Sequence, residues 1–109
     1  MAKPLQYQII ARALEIISDE EHWTRAAVAR TAEGRQCACF DARAARFCAI
    51  GALNRAAREL LGIVGVEHAH AAEGFVLAAN GRHHHSLPLF NDIDGHEVIV
   101  AMFKVALAQ

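Results

Sequence analysis

The sequence predicts an all-α protein, a compact single-domain bundle of four to five helices spanning residues 1–109. Three observations carry that prediction. The chain has 23 alanines against 2 prolines and 2 threonines; alanine costs a helix least, whereas strands favour β-branched and aromatic residues. Apolar residues recur at helical spacing in several stretches. The composition, 54% apolar and 21% charged over 109 residues, is globular and large enough for one hydrophobic core.

Pro4 suits the first turn of a helix, where its missing N–H costs nothing. From there Leu5, Ile9, Ala13, Ile16 and Ile17 form one stripe opposite Gln8, Arg12 and Glu15, which predicts helix one. After the polar break SDEEHW, Thr24 is placed to cap a short second helix through about Ala32, with Gly34 as its stop. RQCACFD has no helical period and reads as loop or a short extended piece. The next helix runs to Leu61 and closes on Gly62. Phe47, Ile50, Leu53, Ala57, Leu60 and Leu61 share one arc, and extending the same helix backwards would set Arg43 and Arg46 in the middle of it. A break near Arg46 avoids that conflict, puts Cys48 in the first turn, and leaves DARAAR as a separate turn or short helix capped by Asp41.

Residues 67–79 predict a further helix, stopped by Asn80–Gly81, and GRHHHSLPLFND reads as loop. Asp94 and Glu97 have the spacing of a capping box for a last helix, Gly95 to about Ala108. Val98 to Phe103 is unbroken apolar sequence, so that helix must be covered on nearly all sides, by the bundle or by another subunit.

A net charge of −1 with dispersed charges forms no basic stripe, which argues against nucleic acid and acidic membranes as partners. The polar N-terminus does not read as a signal peptide, so none is expected, and the longest apolar run is far below the roughly 18 residues of a membrane span. Three cysteines, an odd count, suggest reduced thiols and a cytoplasmic protein.

Cys48 is the candidate nucleophile. A helix N-terminus stabilises a thiolate, and the chain order Cys48, His85, Asn91 matches that of papain-like hydrolases. The competing reading is packing: Cys48 points away from the large apolar arc, beside Ala49, Ala52 and Ala56, where free cysteine acts as a small hydrophobe. A metal reading rests on Cys37-x-Cys39 and the run His83, His84, His85, but no paired C-x₂-C or H-x₃-H unit supports it, and neither metal nor cofactor is expected. Trp23 and Thr24 read as a buried anchor and a cap, and Phe90-Asn91-Asp92 as an aromatic plug with an Asx turn. The rival reading gathers Trp23, Thr24, Cys48, Asn54, Asn91 and Asp92 around a binding cleft.

Trp23-Thr24-Arg25-Ala26-Ala27, Phe47-Cys48-Ala49-Ile50-Gly51-Ala52-Leu53 and Phe90-Asn91-Asp92 together resemble a family of small uncharacterised bacterial and phage proteins. The resemblance spans most of the chain and implies a largely helical domain, with no activity to carry over. This chain has Ala26 where that family commonly has glycine.

The expected function is a non-enzymatic binding or interaction module, with a cysteine-dependent hydrolase as the alternative. A homodimer is expected, with Val98, Met102 or Val105 in its seam and Ile99 or Phe103 facing the core. A further protein or small molecule is the other expected partner.

Overall fold

The computed structural model describes residues 4–82 and 85–109; His83 and His84, and with them most of the histidine run, lie outside the described residues. Pro4 immediately precedes α1, Leu5–Ile17, as its N-cap. Of the predicted stripe Ile9, Ala13 and Ile17 are buried and Leu5 and Ile16 half-buried, and Ile10 joins the buried face. A 3₁₀ turn at Glu20–His22 follows, capped by the Asp19 carboxylate, which accepts from the Glu21 N–H.

The all-α expectation fails between α1 and the next helix. That segment forms a three-stranded antiparallel sheet in the order β2–β1–β3, so the fold is mixed α/β. Its strands are β1, Ala29–Thr31, β2, Gln36–Cys37, and β3, Ala44–Phe47. Ala29 pairs with Cys37 on one side and Phe47 on the other. Where a helix over 24–32 was expected, burial instead alternates: Ala29 and Thr31 are buried and Arg30 is half-exposed, the period of a strand. Gly34 closes the β1–β2 turn rather than stopping a helix, its N–H donating to the Thr31 carbonyl. Asp41 does not cap a helix either. Its carboxylate accepts from the Arg43 N–H at 2.8 Å in an Asx turn that leads into β3.

The break predicted near Arg46 is a strand end. Cys48 is the N-cap of α2, Ala49–Leu61, one position before the first turn where it was expected. This helix presses its first turn onto the chain just before β1. A Cβ built on Gly51 would stand 1.9 Å from the Val28 carbonyl oxygen, and the Cys48 N–H donates to that same oxygen at 3.2 Å. Only a residue without a side chain permits that approach. The sheet is therefore held against α2 by backbone contact as well as by its own ladder.

A 3₁₀ turn at Gly62–Val64 leads to α3, Gly65–Ala79, close to the predicted bounds. The expected loop after Gly81 contains a helix, α4, Leu87–Asp94; Pro88 lies in its first turn, where no intrahelical N–H is needed. The Asp94–Glu97 capping box does not form, because Asp94 is the last residue of α4. Gly95, at φ +94°, turns the chain and precedes α5, His96–Leu107, with no side-chain cap. Helix α5 packs against α1, α3 and α4 and buries Ile99, Met102, Phe103 and Ala106. Ile99 and Phe103 face the core; Met102 is 6% exposed, while Val98 and Val105 are 38% and 40% exposed. No helix among the described residues is long and apolar enough to cross a membrane. Among the described residues the largest fully buried side chains are apolar with one exception, Asn91.

Candidate functional site

Asn91 projects from α4 into the junction of the sheet, α2 and the turn after α1. Its Oδ1 accepts from Trp23 Nε1 at 2.7 Å and from the Ala49 N–H at 2.9 Å. Its Nδ2 donates to the Thr24 carbonyl at 3.0 Å and to Asp92 Oδ1 at 3.1 Å. Two partners can only donate and one carbonyl can only accept, so the partners themselves fix the amide orientation. One fully buried side chain thus ties together the Trp23 segment, the start of α2, and α4.

The surrounding groups extend the tie. Asp92 Oδ1 accepts from the Ala26 N–H at 2.9 Å, and that bond with the Asn91 amide and the nearby Arg25 holds the carboxyl below the usual carboxylate range. The Arg25 guanidinium lies over the Trp23 ring at 5.1 Å and donates to the Asp92 carbonyl. Thr24 caps no helix: its N–H donates to the Phe47 carbonyl, and its hydroxyl donates to the Arg25 carbonyl and accepts from Arg30 Nε. His96, whose ring is tilted against Trp23 at 5.7 Å, bonds the last carbonyl of α1 at Ile17 through Nε2. Ala26 sits at φ +58°, the left-handed region that glycine favours.

Cys48 lies beside this cluster and is 5% exposed. Its Sγ accepts from the Gly51 N–H at 3.3 Å. Burial pushes the thiol up from its ordinary value, more than the N–H groups of Gly51 and Ile50 pull it down, and the charge of Asp92 adds to the rise. This is the reverse of nucleophile activation. Among the described residues no histidine bonds Cys48. His85 is exposed, with its ring tilted against Phe90 at 5.5 Å, and Asn91 has both ends of its amide engaged elsewhere.

Trp23, Thr24, Asn91 and Asp92 therefore meet directly and Cys48 adjoins them, but they form a packed knot whose polar atoms satisfy one another. No buried side-chain nitrogen or oxygen among the described residues lacks a partner. Asn54 is apart from the knot. Its amide donates to the Ile50 carbonyl one turn back, and the side chain lines a different depression, with Cys39, Phe40 and Ile63. No group of three or more His, Cys, Asp or Glu gathers among the described residues to hold a metal ion.

The surface carries several exposed apolar side chains, most of which sequence reasoning missed. Phe40, Ile63, Val66 and Ile93 are 57%, 78%, 65% and 69% exposed, and Leu89, Val98 and Val105 add to them. Only the α5 residues carried a signal in the sequence, as an apolar run too wide for one buried face. A family model described as a family of unknown function (DUF6197) matches residues 1–109. No curated protein and no solved structure matches the chain.

Proposed function

We propose that this chain, which belongs to that family of unknown function, is a non-enzymatic cytoplasmic interaction module that works as a homodimer through α4 and α5. The observation that carries the reading is a groove of about 280 Å³ between these helices and the end of α3. Phe90, Val98, Ala101, Met102 and Val105 line it, and Arg82 and Asp94 stand at its margin. Neither charged group has an ion pair among the described residues; Arg82 rests over the Phe90 ring at 5.4 Å. An apolar strip bearing one cation and one anion is self-complementary under a two-fold axis, where Arg82 of each copy meets Asp94 of the other. Leu89 and Ile93, exposed on α4, extend the apolar surface such a contact would cover.

The buried, bonded state of Trp23, Asn91 and Cys48 supports the non-enzymatic half of the reading, because the Asn91 amide and the Trp23 indole are engaged with each other and with backbone and the Cys48 thiol is shielded. The free thiols of Cys37, Cys39 and Cys48 accord with a reducing compartment.

Sedimentation equilibrium at tens of micromolar tests the dimer. The expected species has twice the 11.9 kDa chain mass. Val98→Lys and Asp94→Arg should each release monomer with helicity retained, and the charge swap Arg82→Asp/Asp94→Arg should restore the dimer. A single species of 11.9 kDa in the unaltered protein would sink the proposal.

A further inference from the structure

Away from α4 and α5, the three most exposed large apolar side chains among the described residues gather at one place. Phe40, Ile63 and Val66 surround a depression of about 170 Å³ between the loop after β2, the C-terminal end of α2 and the start of α3. Scattered apolar residues on a surface need no explanation, but three that converge on a concave spot mark a place where something binds. The volume suits one apolar side chain of leucine size.

Two polar groups border this spot with capacity to spare. Arg58 lies over the Phe40 ring at 4.5 Å. Its neighbours Arg12 and Arg55 both pair with Glu59, at 2.8 and 3.3 Å, which leaves Arg58 without a carboxylate among the described residues. Asn54 donates through Nδ2 to Ile50, and its Oδ1 accepts no hydrogen bond among the described residues. An apolar cavity, an unpaired guanidinium and an amide acceptor together match a group with an apolar side chain, a carboxylate and an N–H. That is the last residue of a peptide. Ile63 and Val66, with Leu60 at 45% exposure nearby in sequence, present more apolar surface than one side chain covers. The excess favours an extended chain over a free acylated amino acid.

We infer that this depression binds the C-terminal residue of a peptide ending in an aliphatic side chain, with the carboxylate on Arg58, the side chain among Phe40, Ile63 and Val66, and the terminal N–H donated to Asn54 Oδ1. This site does not depend on the dimer. The test is an ¹⁵N-resolved titration of the full chain with an acetylated tetrapeptide ending in leucine, run beside its C-terminal amide and beside N-acetyl-leucine. The free acid should shift the Gly62, Ile63 and Val66 amides, and the amide form should bind about tenfold more weakly, since a charge-assisted pair is lost. Arg58→Gln should weaken binding by a similar factor without altering the melting temperature, whereas Val98→Lys should leave binding unchanged even where it abolishes dimerisation. Absence of shifts at millimolar peptide, equal binding of acid and amide, or undiminished binding by Arg58→Gln would overturn the assignment. N-acetyl-leucine binding as tightly as the peptide would overturn the choice of a chain end as occupant.

Discussion

Replacing Asn91 probes how much of the fold depends on one buried amide. In Asn91→Ala the donors Trp23 Nε1 and Ala49 N–H lose their acceptor, at a site 0% exposed where water cannot substitute. Each orphaned buried donor costs about 1–3 kcal/mol. With the lost packing of the side chain the sum is about 3–5 kcal/mol, a large part of the 5–15 kcal/mol that holds a typical domain together. Asn91→Asp separates the two ends of the amide. It keeps the acceptor for Trp23 and Ala49 but turns an oxygen toward the Thr24 carbonyl and the Asp92 carboxylate, 3.0 and 3.1 Å from the present Nδ2. The new carboxyl is better tolerated protonated, so its folded pKa lies above its unfolded value of about 3.9. A group shifted upward contributes stability below the unfolded pKa and loses it as pH rises through the folded one. The deficit of Asn91→Asp relative to the unaltered protein should therefore be large at pH 7 and shrink toward pH 4.5. Urea unfolding of the three proteins at both pH values reads this directly. A cost under about 1 kcal/mol for Asn91→Ala would lie below even a single orphaned donor and refute the reasoning, as would a deficit in Asn91→Asp that ignores pH.

Gly51→Ala would place a methyl 1.9 Å from the Val28 carbonyl oxygen, so α2 must withdraw from β1, and denaturant melts should show a loss of about 2–3 kcal/mol or more. Ala26→Gly should raise the melting temperature modestly: relief of about 1–2 kcal/mol at φ +58° exceeds the roughly 0.4–1 kcal/mol of extra unfolded-state entropy. Asp92, held below the usual carboxylate range by the Ala26 N–H first, contributes stability that is present above its unfolded pKa and lost as pH falls through its folded one. Asp92→Asn should accordingly flatten the dependence of stability on pH below about 4, measured by urea midpoints across that range.

The helices were legible where their apolar period is long. Helix α1, the body of α2, α3 and α5 follow residues whose burial repeats every three or four positions, and the phase conflict of Arg46 located the break before α2. The sheet was not legible, because Ala29-Arg30-Thr31 and Ala44-Ala45-Arg46-Phe47 are largely helix-forming residues. What makes them strands is tertiary: the pairing of Ala29 with Phe47 and the seating of Gly51 on Val28, neither of which leaves a local pattern. Helix α4 was hidden inside the segment GRHHHSLPLFND, read whole as loop because eight helical residues after a polar run show no sustained period, and the false capping box arose from an aspartate that ends one helix three residues before a glutamate in the next. Of the residues proposed to gather around a cleft, Trp23, Thr24, Asn91 and Asp92 are neighbours in the fold. Their side-chain types could equally bind a ligand or one another, and only the buried geometry distinguishes these. The depression of Phe40, Ile63 and Val66 had no signal beyond an Ile-Val pair in a turn, because its members come from three separate segments.

The knot around Asn91 and Cys48 ties α2, α4 and the Trp23 segment together, and the proposed function gives it no chemistry to perform. Alkylation of the three cysteines by iodoacetamide in the native protein, followed by mass spectrometry, addresses this most directly. Cys48 should react far more slowly than Cys37 and Cys39, which are only half-buried, at a rate at least about a hundredfold below that in urea and set by opening of the domain. Rapid modification of Cys48 in the folded state, with a thiol pKa below the ordinary value of about 8.5, would contradict the account and restore the hydrolase.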